Sequence, residues 1–417
     1  MPREKIITGL DIGTSQIRVA VAQQKEKNQK PQVLAVSRVP TGGVRKGVVV
    51  DIEEVAKNIK EAVQQAERIS GVEIKDAFVG VGGSHILCRP SKGVIAVSRA
   101  DGQVSEEDKE RALQAAKAVS LGLNREIMHC LPRRFSIDNQ EAVKNPVGMQ
   151  GVRLELDALI VEGSTPFIKN SIKSVKEAGL DINGMTLTIL AASQAVLNKR
   201  QKELGVLVLD FGGGTTGMAV FEEGDILHCQ ILPVGSSHIT NDIAIGLRTS
   251  IDIAEKIKIE YGSTLPNSVS KKEMIDLKKV GDEEGQVSRH QVAEIIEARV
   301  GEILDLVNKE LKKIDRAGLL PAGVVLVGGG AKMRGLPELV KEKLKLPVQF
   351  GSIQELEGVL EQMDDVSLAT VSGLIISAFQ EEESFLEKGE ALGSLLPKNI
   401  SFEGIKKYFK WLKSFIP

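Results

Sequence analysis

The sequence predicts an α/β protein of two lobes, each with a mixed sheet and flanking helices. Aromatic residues are few, with 11 Phe, 2 Tyr and 1 Trp among 417 residues, so the core must consist of Val, Ile, Leu and Ala, as in proteins with buried strands. Apolar runs bounded by turn residues alternate with helical patterns, and one strand–turn–strand unit occurs twice, half a chain apart. At about 150 residues per domain, the length indicates two or three domains.

The composition excludes several classes of protein. Hydrophobic and charged contents of 42% and 26% are those of a globular chain, not a disordered one. The net charge of −2 argues against a nucleic-acid partner. Cys88, Cys130 and Cys229 are odd in number and far apart in sequence, which excludes a disulfide framework and a CxxC zinc site and fits a reducing compartment. No run of 18 apolar residues and no signal-peptide core is present, so the sequence indicates a cytoplasmic chain.

Hydrophobic period and helix-start signals give the predicted elements. A helix opens at Asp51, because Glu54 stands three residues on and Val55, Ile59 and Val63 follow at helical spacing. The predicted strands are 6–12, 16–22, 32–39, 74–81, 205–209 and 323–327, and the predicted helices are 51–70, 106–119, 165–178 and 291–314.

The repeated unit is an apolar strand that ends in Asp, a turn rich in Gly and Thr or Ser, and a second apolar strand. Its copies are Leu10–Val21 and Leu209–Val220. Neither fits the P-loop or the dinucleotide-binding glycine pattern. In a tight hairpin, glycines let backbone N–H groups converge on phosphate oxygens, and the acids Asp11 and Asp210 would hold Mg²⁺ through water. One copy is compatible with an ordinary hairpin turn; two copies favour two phosphate loops that face each other across a cleft.

A third element completes the pattern. Gly323–Gly330 is a buried strand that ends in three glycines, and Pro337 marks the first turn of a following helix. A flat glycine surface beside a cleft can receive an adenine ring. Two phosphate hairpins followed by this unit resemble the actin-like ATPase superfamily over about Ile6 to Phe379, which implies the actin-like fold.

Within that superfamily, the chain resembles the bacterial cell-division FtsA family over essentially its full length. A segment, Gly83–Gly163, is inserted early in lobe one, and it contains the N-P-x-G-M-x-G-x-R-L run at Asn145–Leu154. Pro233–Gly235 and Ile239–Ala244 also match. The resemblance implies a protein that binds ATP and Mg²⁺, polymerises through the inserted subdomain, and holds FtsZ filaments at the division site. It would act as a peripheral protein on the cytoplasmic face of the inner membrane, with other divisome proteins as partners.

The resemblance also implies roles for individual residues. Asp11 and Asp210 match the Mg²⁺ positions. The residues that match the nucleotide site are Gly13, Thr14, Ser15, Gln16, Gly212, Gly213, Gly214, Thr215 and Thr216 for phosphate, Glu255 and Lys258 for ribose and adenine, and Gly328, Gly329 and Gly330 for adenine. From the residues alone, Glu255 and Lys258 would be an exposed helix pair.

Two further assignments concern hydrolysis and the partner peptide. Thr188 stands where superfamily members that hydrolyse ATP carry Gln or Glu, and Gly217 stands where Asp is usual. Thr is too short to position water, so we expect at most slow turnover. The stretch Ser288–Val307 resembles the helix that receives the acidic FtsZ C-terminal peptide, with Arg299 and Arg289 as candidate carboxylate contacts; both are also compatible with solvated helix charges.

These assignments give a predicted domain organisation. Lobe one has its core in 1–83 and 164–190, with the inserted subdomain at 84–163. Lobe two has its core in 191–230 and 306–380, with a small subdomain at 231–305. An acidic linker follows at 381–403, and a terminal helix at 404–417.

The terminal helix is amphipathic, and this inference needs no family. At 100° per residue its apolar side chains fall within an arc of about 160°, and lysines occupy the other side. About 21 Å of helix is too short to span about 30 Å of hydrocarbon, so we expect it to lie in the interface of an anionic membrane. The apolar residues are Ile405, Tyr408, Phe409, Trp411, Leu412, Phe415 and Ile416, and the lysines are Lys406, Lys407, Lys410 and Lys413.

Two alternatives remain open on the sequence. A pilus-assembly scaffold of the same superfamily shares the early insertion but is not expected to end in a membrane helix. A small-molecule kinase of the same fold would need a carboxylate base beside the acceptor hydroxyl, and the inserted segment and basic tail would have no role in it.

Overall fold

The computed structural model describes residues 5–25, 29–138, 140–281, 284–358 and 365–380. The predicted linker at 381–403 and the predicted terminal helix at 404–417 lie outside the described residues. None of the described helices is long and apolar enough to cross a bilayer.

Lobe one is built on a mixed sheet whose first three strands form an antiparallel meander. Two further strands, β6 and β11, continue the sheet in parallel beside β1. The elements of this lobe are β1 (Lys5–Ile12), β2 (Gln16–Gln24), β3 (Gln32–Pro40), the small hairpin β4 (Val44–Arg45) and β5 (Val48–Val49), helix α1 (Ile52–Ser70), β6 (Asp76–Val81), helix α3 (Thr165–Glu177), β11 (Asp181–Leu187) and a short edge strand β19 (Glu357–Gly358).

The inserted subdomain is a four-stranded antiparallel sheet covered by one helix. The strand order is β7-β10-β8-β9. Apolar residues of the sheet pack against Ala112 and Ala116 of the helix, so this part has its own core. Its elements are β7 (Leu87–Ala96), α2 (Glu106–Lys117), β8 (Arg125–Ile137), β9 (Gln140–Val143) and β10 (Arg153–Ser164).

Lobe two repeats the topology of lobe one. Its strand order, β14-β13-β12-β17-β18, again joins three antiparallel strands to two parallel ones. The predicted duplication is therefore confirmed at the level of whole sheets. The elements are α4 (Thr188–Val196), α5 (Lys199–Leu204), β12 (Val206–Phe211), β13 (Thr216–Glu222), β14 (Asp225–Leu232), β17 (Val324–Val327), α10 (Leu336–Leu344) and β18 (Val348–Phe350).

A small helical subdomain is inserted in lobe two between β14 and β17. Its long helix packs through Val292, Ile296 and Val300 into the main core of the lobe. Its elements are α6 (Ser236–Leu247), α7 (Ile251–Tyr261), β15 (Met274–Asp276), α8 (Leu277–Val280), β16 (Gln286–Ser288) and α9 (Arg289–Lys313).

Two segments connect the lobes. The first is α4, and the second leads into residues 369–380, which are also helical. The two helices cross in close backbone contact, since a Cβ on Gly373 would overlap the carbonyl oxygen of Ala191. A Cβ on Gly9 of β1 would lie 2.9 Å from the carbonyl oxygen of Val371, so glycine lets the second helix pack closely on lobe one.

The sequence predictions of individual elements agree with these bounds to within about two residues. The side chain of Asp51 accepts a hydrogen bond from Glu54 N, as expected of the residue that caps α1. The helix ends at Gly71, which has φ +71 and so takes the left-handed conformation that favours glycine. The strands of the inserted subdomain were not predicted.

Candidate nucleotide-binding cleft

The two predicted phosphate loops are hairpin turns of the same geometry. In the first, Gly13 N donates to Gln16 O at 3.1 Å between β1 and β2; in the second, Gly212 N donates to Thr215 O at 3.0 Å between β12 and β13. A Cβ on either glycine would come within 2.8 Å of that carbonyl oxygen. Glycine is therefore required in both turns for the chain to close so tightly.

The two turns face each other. A Cβ on Gly213 would overlap the Ser15 hydroxyl, and one on Gly214 would lie 2.6 Å from Thr14 Oγ1. Within the described residues, the backbone N–H groups of Thr14, Ser15, Gly213 and Gly214 donate no hydrogen bond. Converging N–H groups without acceptors form a site suited to an anion.

A cavity of about 420 Å³ opens between the lobes beside these turns. It brings together most of the predicted nucleotide residues: Asp11, Gly13, Thr14, Ser15, Gln16, Thr188, Asp210, Gly212, Gly213, Thr215, Glu255, Lys258, Gly328, Gly329 and Gly330. Gly214 does not line it and instead contacts Thr14. Thr216 does not line it either, because its buried hydroxyl donates to Val234 O at 2.8 Å. Thr216 therefore supports the turn from behind.

Asp11 is buried at the end of β1, and Asp210 is half-buried at the end of β12. Burial raises the pKa of Asp210 to about 6, the negative charge of Asp11 adds to the shift, and Arg18 opposes it. Burial likewise raises the pKa of Asp11, against the effect of Arg18. A buried and a half-buried carboxylate close enough to perturb each other, with hydroxyl groups nearby, are the oxygen-donor chemistry that suits a hard cation such as Mg²⁺.

Arg18 is a site residue that the sequence analysis missed. Its guanidinium lies 3.3 Å from Asp11 Oδ2 and 3.2 Å from Gln16 Oε1. Its Nε is buried and has no hydrogen-bond partner among the described residues. Arg18 also lines the cavity, where its positive charge favours an anion. The signal was available, since Arg is unusual in an otherwise apolar strand.

A second missed group lies where the lobes meet. Asp365 accepts from Arg38 of β3 at 2.7 Å and from Lys332, beyond the glycine loop, at 2.8 Å. Burial raises the pKa of Asp365, but Lys332, Ser367 N and Arg38 together lower it well below its usual value. Arg38 and Lys332 both line the cavity. No local pattern predicts this triad, because its members are distant in the chain.

The β4–β5 hairpin is a third missed feature. Its tip is Lys46-Gly47, with φ +49 and +71, and Gly47 N donates to Thr14 Oγ1 at 2.9 Å. Lys46 O accepts from Ser84 N at 3.0 Å, where the inserted subdomain begins. The hairpin thus touches both the first phosphate turn and the start of the inserted subdomain. A Lys-Gly pair between two short valine-containing runs was the available turn signal.

On the opposite side of the cavity, Glu255 and Lys258 are not an exposed helix pair. Lys258 is buried, and its Nζ donates to Glu255 Oε2 at 2.6 Å and to Thr240 Oγ1 at 2.8 Å. The network orients both side chains on α7 toward the cavity that Gly328–Gly330 also lines. Gly328 has φ +88, and a Cβ there would overlap Asp210 Oδ1.

Thr188 and the two candidate partner arginines are placed as follows. Thr188 is the first residue of α4, and its hydroxyl faces Gly82 at the rim of lobe one. At Gly217, a Cβ would lie 3.3 Å from Ile189 Cβ, so the site leaves little room for a side chain. Arg299 contacts Asp242 at 2.5 and 2.9 Å and Glu302 at 2.5 Å. Arg289 contacts Glu273 at 2.6 Å.

Comparisons with known proteins agree with this architecture. The family description "Cell division protein FtsA" matches residues 207–373, and "SHS2 domain inserted in FTSA" matches residues 83–162. The chain is 37% identical to Cell division protein FtsA of Pseudomonas aeruginosa over 97% of both chains. It is 36% identical to that of Bacillus subtilis over 84% of this chain and 80% of the other.

Solved structures share the fold at lower identity. The "PilM-PilN type IV pilus biogenesis complex" gives a TM-score of 0.66 at 17% identity, covering 89% of this chain and 98% of the other. MreB 5 of Spiroplasma citri bound to AMPPNP gives 0.52 at 16% identity, covering 93% and 100%. The predicted actin-like fold with its inserted subdomain is therefore confirmed, and the identity to curated relatives along almost the whole chain shows that this protein belongs to the FtsA family of cell-division proteins.

Proposed function

We propose that the protein is an ATP-binding, actin-like cell-division protein that assembles into filaments on the cytoplasmic face of the bacterial inner membrane and tethers FtsZ filaments there. The observation that carries the proposal is the pair of phosphate turns, which face each other beside a cavity lined by Asp11 and Asp210 and whose backbone N–H groups have no acceptor among the described residues. A protein of the same fold has been solved with AMPPNP bound.

In this proposal each part of the cleft binds one part of the nucleotide. The backbone N–H groups of the two turns bind phosphate oxygens, and the positive charge of Arg18 attracts them. Asp11 and Asp210 would hold Mg²⁺ through water, and such an ion would supply positive charge beside the phosphates. Lys258 and Glu255 orient the ribose and adenine, and the glycine surface of Gly328–Gly330 lies against the adenine ring. Hydrolysis is at most slow, because Thr188 is too short to hold a water as Gln does.

The binding partners follow the same division of the chain. The inserted subdomain makes filament contacts and receives other divisome proteins. Helix α9 receives the acidic FtsZ C-terminal peptide, with Arg299 and Arg289 as carboxylate contacts. Since Arg299 is paired with Asp242, the peptide must compete with that carboxylate. The terminal helix lies in the interface of anionic lipid.

A glycine substitution tests the nucleotide site. Gly328→Ala should lower ATP affinity at least about tenfold, because the new Cβ would overlap Asp210 and the backbone would be strained. Gly179→Ala is the matched control, since Gly179 has φ +92 but nothing within 4 Å of a Cβ. Titration of both variants with a fluorescent ATP analogue and Mg²⁺ separates cleft effects from backbone strain. Equal affinities for the two variants would contradict the site.

Fluorescence tests the membrane anchor. Trp411 is the single tryptophan of the chain, so its emission reports on the terminal helix alone. Vesicles with anionic lipid should shift that emission to the blue, and salt should reverse the shift, because each Lys contributes about 1 kcal/mol of attraction to an anionic surface. Four lysines give one tail reversible binding, so stable attachment requires a filament with many tails. A chain truncated before Gly404 that still sediments with the vesicles would contradict the anchor.

A further inference from the structure

The inserted subdomain is rooted in lobe one but also rests on lobe two. Its strands β7 and β8 pack against β14, the edge strand of the lobe-two sheet. Lys144, directly after β9, pairs with Glu203 of α5 at 3.0 Å. In the same contact the thiols of Cys88 on β7 and Cys229 on β14 lie with their Sγ atoms 2.6 Å apart. Cysteines that are far apart in the sequence thus form a neighbouring pair.

We propose that Cys88 and Cys229 are a modification site at which a peroxide forms a disulfide between the inserted subdomain and lobe two. Both thiols are on strands held by neighbours: Cys88 is paired with Val161 of β10, and Cys229 with Ala219 of β13. Cys88 is partly exposed, whereas Cys229 is fully buried. A small oxidant therefore reaches Cys88 first, and Cys229 reacts only with its neighbour.

The chemistry takes two steps and balances with hydrogen peroxide as oxidant. The sulfur of Cys88, as thiolate, attacks one peroxide oxygen; an S–O bond forms, the O–O bond breaks, and the departing hydroxide takes up the thiol proton as water. The sulfur of Cys229 then attacks the sulfur of this sulfenic acid; an S–S bond forms, the S–O bond breaks, and hydroxide leaves as a second water with the Cys229 proton. Two thiols are oxidised and one peroxide is reduced to two waters.

The bond would restrain movement between the lobes. The chain between the two cysteines includes α4, which connects lobe one to lobe two, and the second phosphate turn. A covalent link outside that connection closes a ring through it, so the lobes can separate less. Cys130 is outside the pair: it lies on β8 and packs against the core of the inserted subdomain. It therefore provides an internal control.

The test is oxidation of the purified full-length chain with hydrogen peroxide. The chain is then unfolded, its remaining thiols are alkylated with maleimide, and the alkylated thiols are counted. The count should fall from three thiols to one, with peptide mapping that joins Cys88 to Cys229, and a dithiol reductant should restore three. In Cys130→Ser the count should fall from two to none at the same rate. Amide hydrogen exchange in β14 should slow on oxidation and recover on reduction.

Two variants separate the pair from general thiol oxidation. Cys229→Ala should leave a sulfenic acid on Cys88 that a dimedone-type nucleophile traps, whereas Cys88→Ser should lose neither remaining thiol at the wild-type rate. Cys229 is buried. If Cys229→Ala unfolds for that reason, peptide mapping of the unsubstituted chain decides whether Cys88 and Cys229 are linked. A link that contains Cys130, a link between chains only, or thiol loss in Cys88→Ser at the wild-type rate would overturn the proposal.

Discussion

The raised pKa of Asp210 predicts that this carboxylate stabilises the nucleotide-free protein as the solution becomes more acidic. The folded pKa is about 6, against 3.8 for the unconstrained group. Between these values the native state holds a proton that the unfolded state has released, so the contribution to stability rises as the pH falls through 6 and is complete below 3.8. At 1.36 kcal/mol per pKa unit the full effect is about 3 kcal/mol.

About half of this change in stability falls between pH 8 and pH 5, the range in which we propose to measure it. Between pH 8 and pH 5 the linkage relation gives a gain of roughly 1–2 kcal/mol for a group whose pKa moves from 3.8 to about 6. Asp210→Asn removes the titration. The difference in unfolding free energy between the wild type and this variant should therefore change by roughly 1–2 kcal/mol over that range, with the wild type gaining at the acidic end.

Equilibrium urea unfolding, followed by circular dichroism in a chelator without nucleotide, measures this difference. Asp11→Asn should reduce the pH dependence, because the charge of Asp11 contributes to the raised pKa of Asp210. Asp181→Asn, at the exposed first residue of β11, controls for the loss of one carboxylate elsewhere. A difference between wild type and Asp210→Asn that is constant from pH 8 to pH 5 would refute a raised pKa for Asp210.

Three other predictions follow from the described contacts. With saturating Mg²⁺ and ATP, steady-state phosphate release should stay below about 1 per second, the low end for typical enzymes, and Thr188→Gln should raise it; faster release by the wild type would contradict the role given to Thr188. Arg299→Glu should abolish binding of the FtsZ C-terminal peptide in a titration and leave ATP affinity unchanged. Glu302→Gln, which keeps the arginine and its pair with Asp242, should still bind the peptide. An unchanged peptide affinity in Arg299→Glu would exclude Arg299 as a peptide contact. Asp108→Ala should lower the stability of the inserted subdomain by about 1–3 kcal/mol, the usual range for buried hydrogen-bonding groups left unsatisfied. The wild type should lose this advantage as the pH falls from 4 toward 2. A thermal melt unchanged by the substitution would contradict the prediction.

The expected effect at Asp108 rests on its hydrogen bonds. Burial raises the pKa of this carboxyl, but Ser105 and Ser98 donate to it and lower the pKa to about 2 overall. A folded pKa below the unfolded one means that the stabilisation is present above pH 3.8 and is lost below it.

The sequence predicted the phosphate turns of the cleft better than it predicted the strands of the inserted subdomain. The phosphate turns were predictable because each is made by neighbouring residues, whose glycines and strand-end Asp form a local pattern. The lobes' facing arrangement followed from finding that pattern twice. The β-strands of the inserted subdomain were missed. In β8, for example, polar and apolar residues are mixed without the regular alternation that predicts a strand.

Contacts between distant segments could not be predicted from local patterns. Asp365 meets Arg38 only because the second inter-lobe segment returns to lobe one. Cys88 meets Cys229 only because the inserted subdomain leans on β14. The cysteines are distant along the chain, but separation in sequence does not determine which residues are close in the folded structure.

The cleft's electrostatics favour a ligand that carries both signs of charge. The carboxylates of Asp11 and Asp210 oppose the approach of bare phosphate, whereas the N–H groups of the turns, which have no acceptor among the described residues, need one. A cation alone would satisfy the acids and leave the donors unpaired; a polyphosphate alone would do the reverse. In the proposed function a metal ion and a polyphosphate together would meet both requirements, because the cation would balance the charge of the carboxylates while phosphate oxygens accept from the donors. Under the proposed function, these residues would therefore make the binding of Mg²⁺ and of nucleotide cooperative.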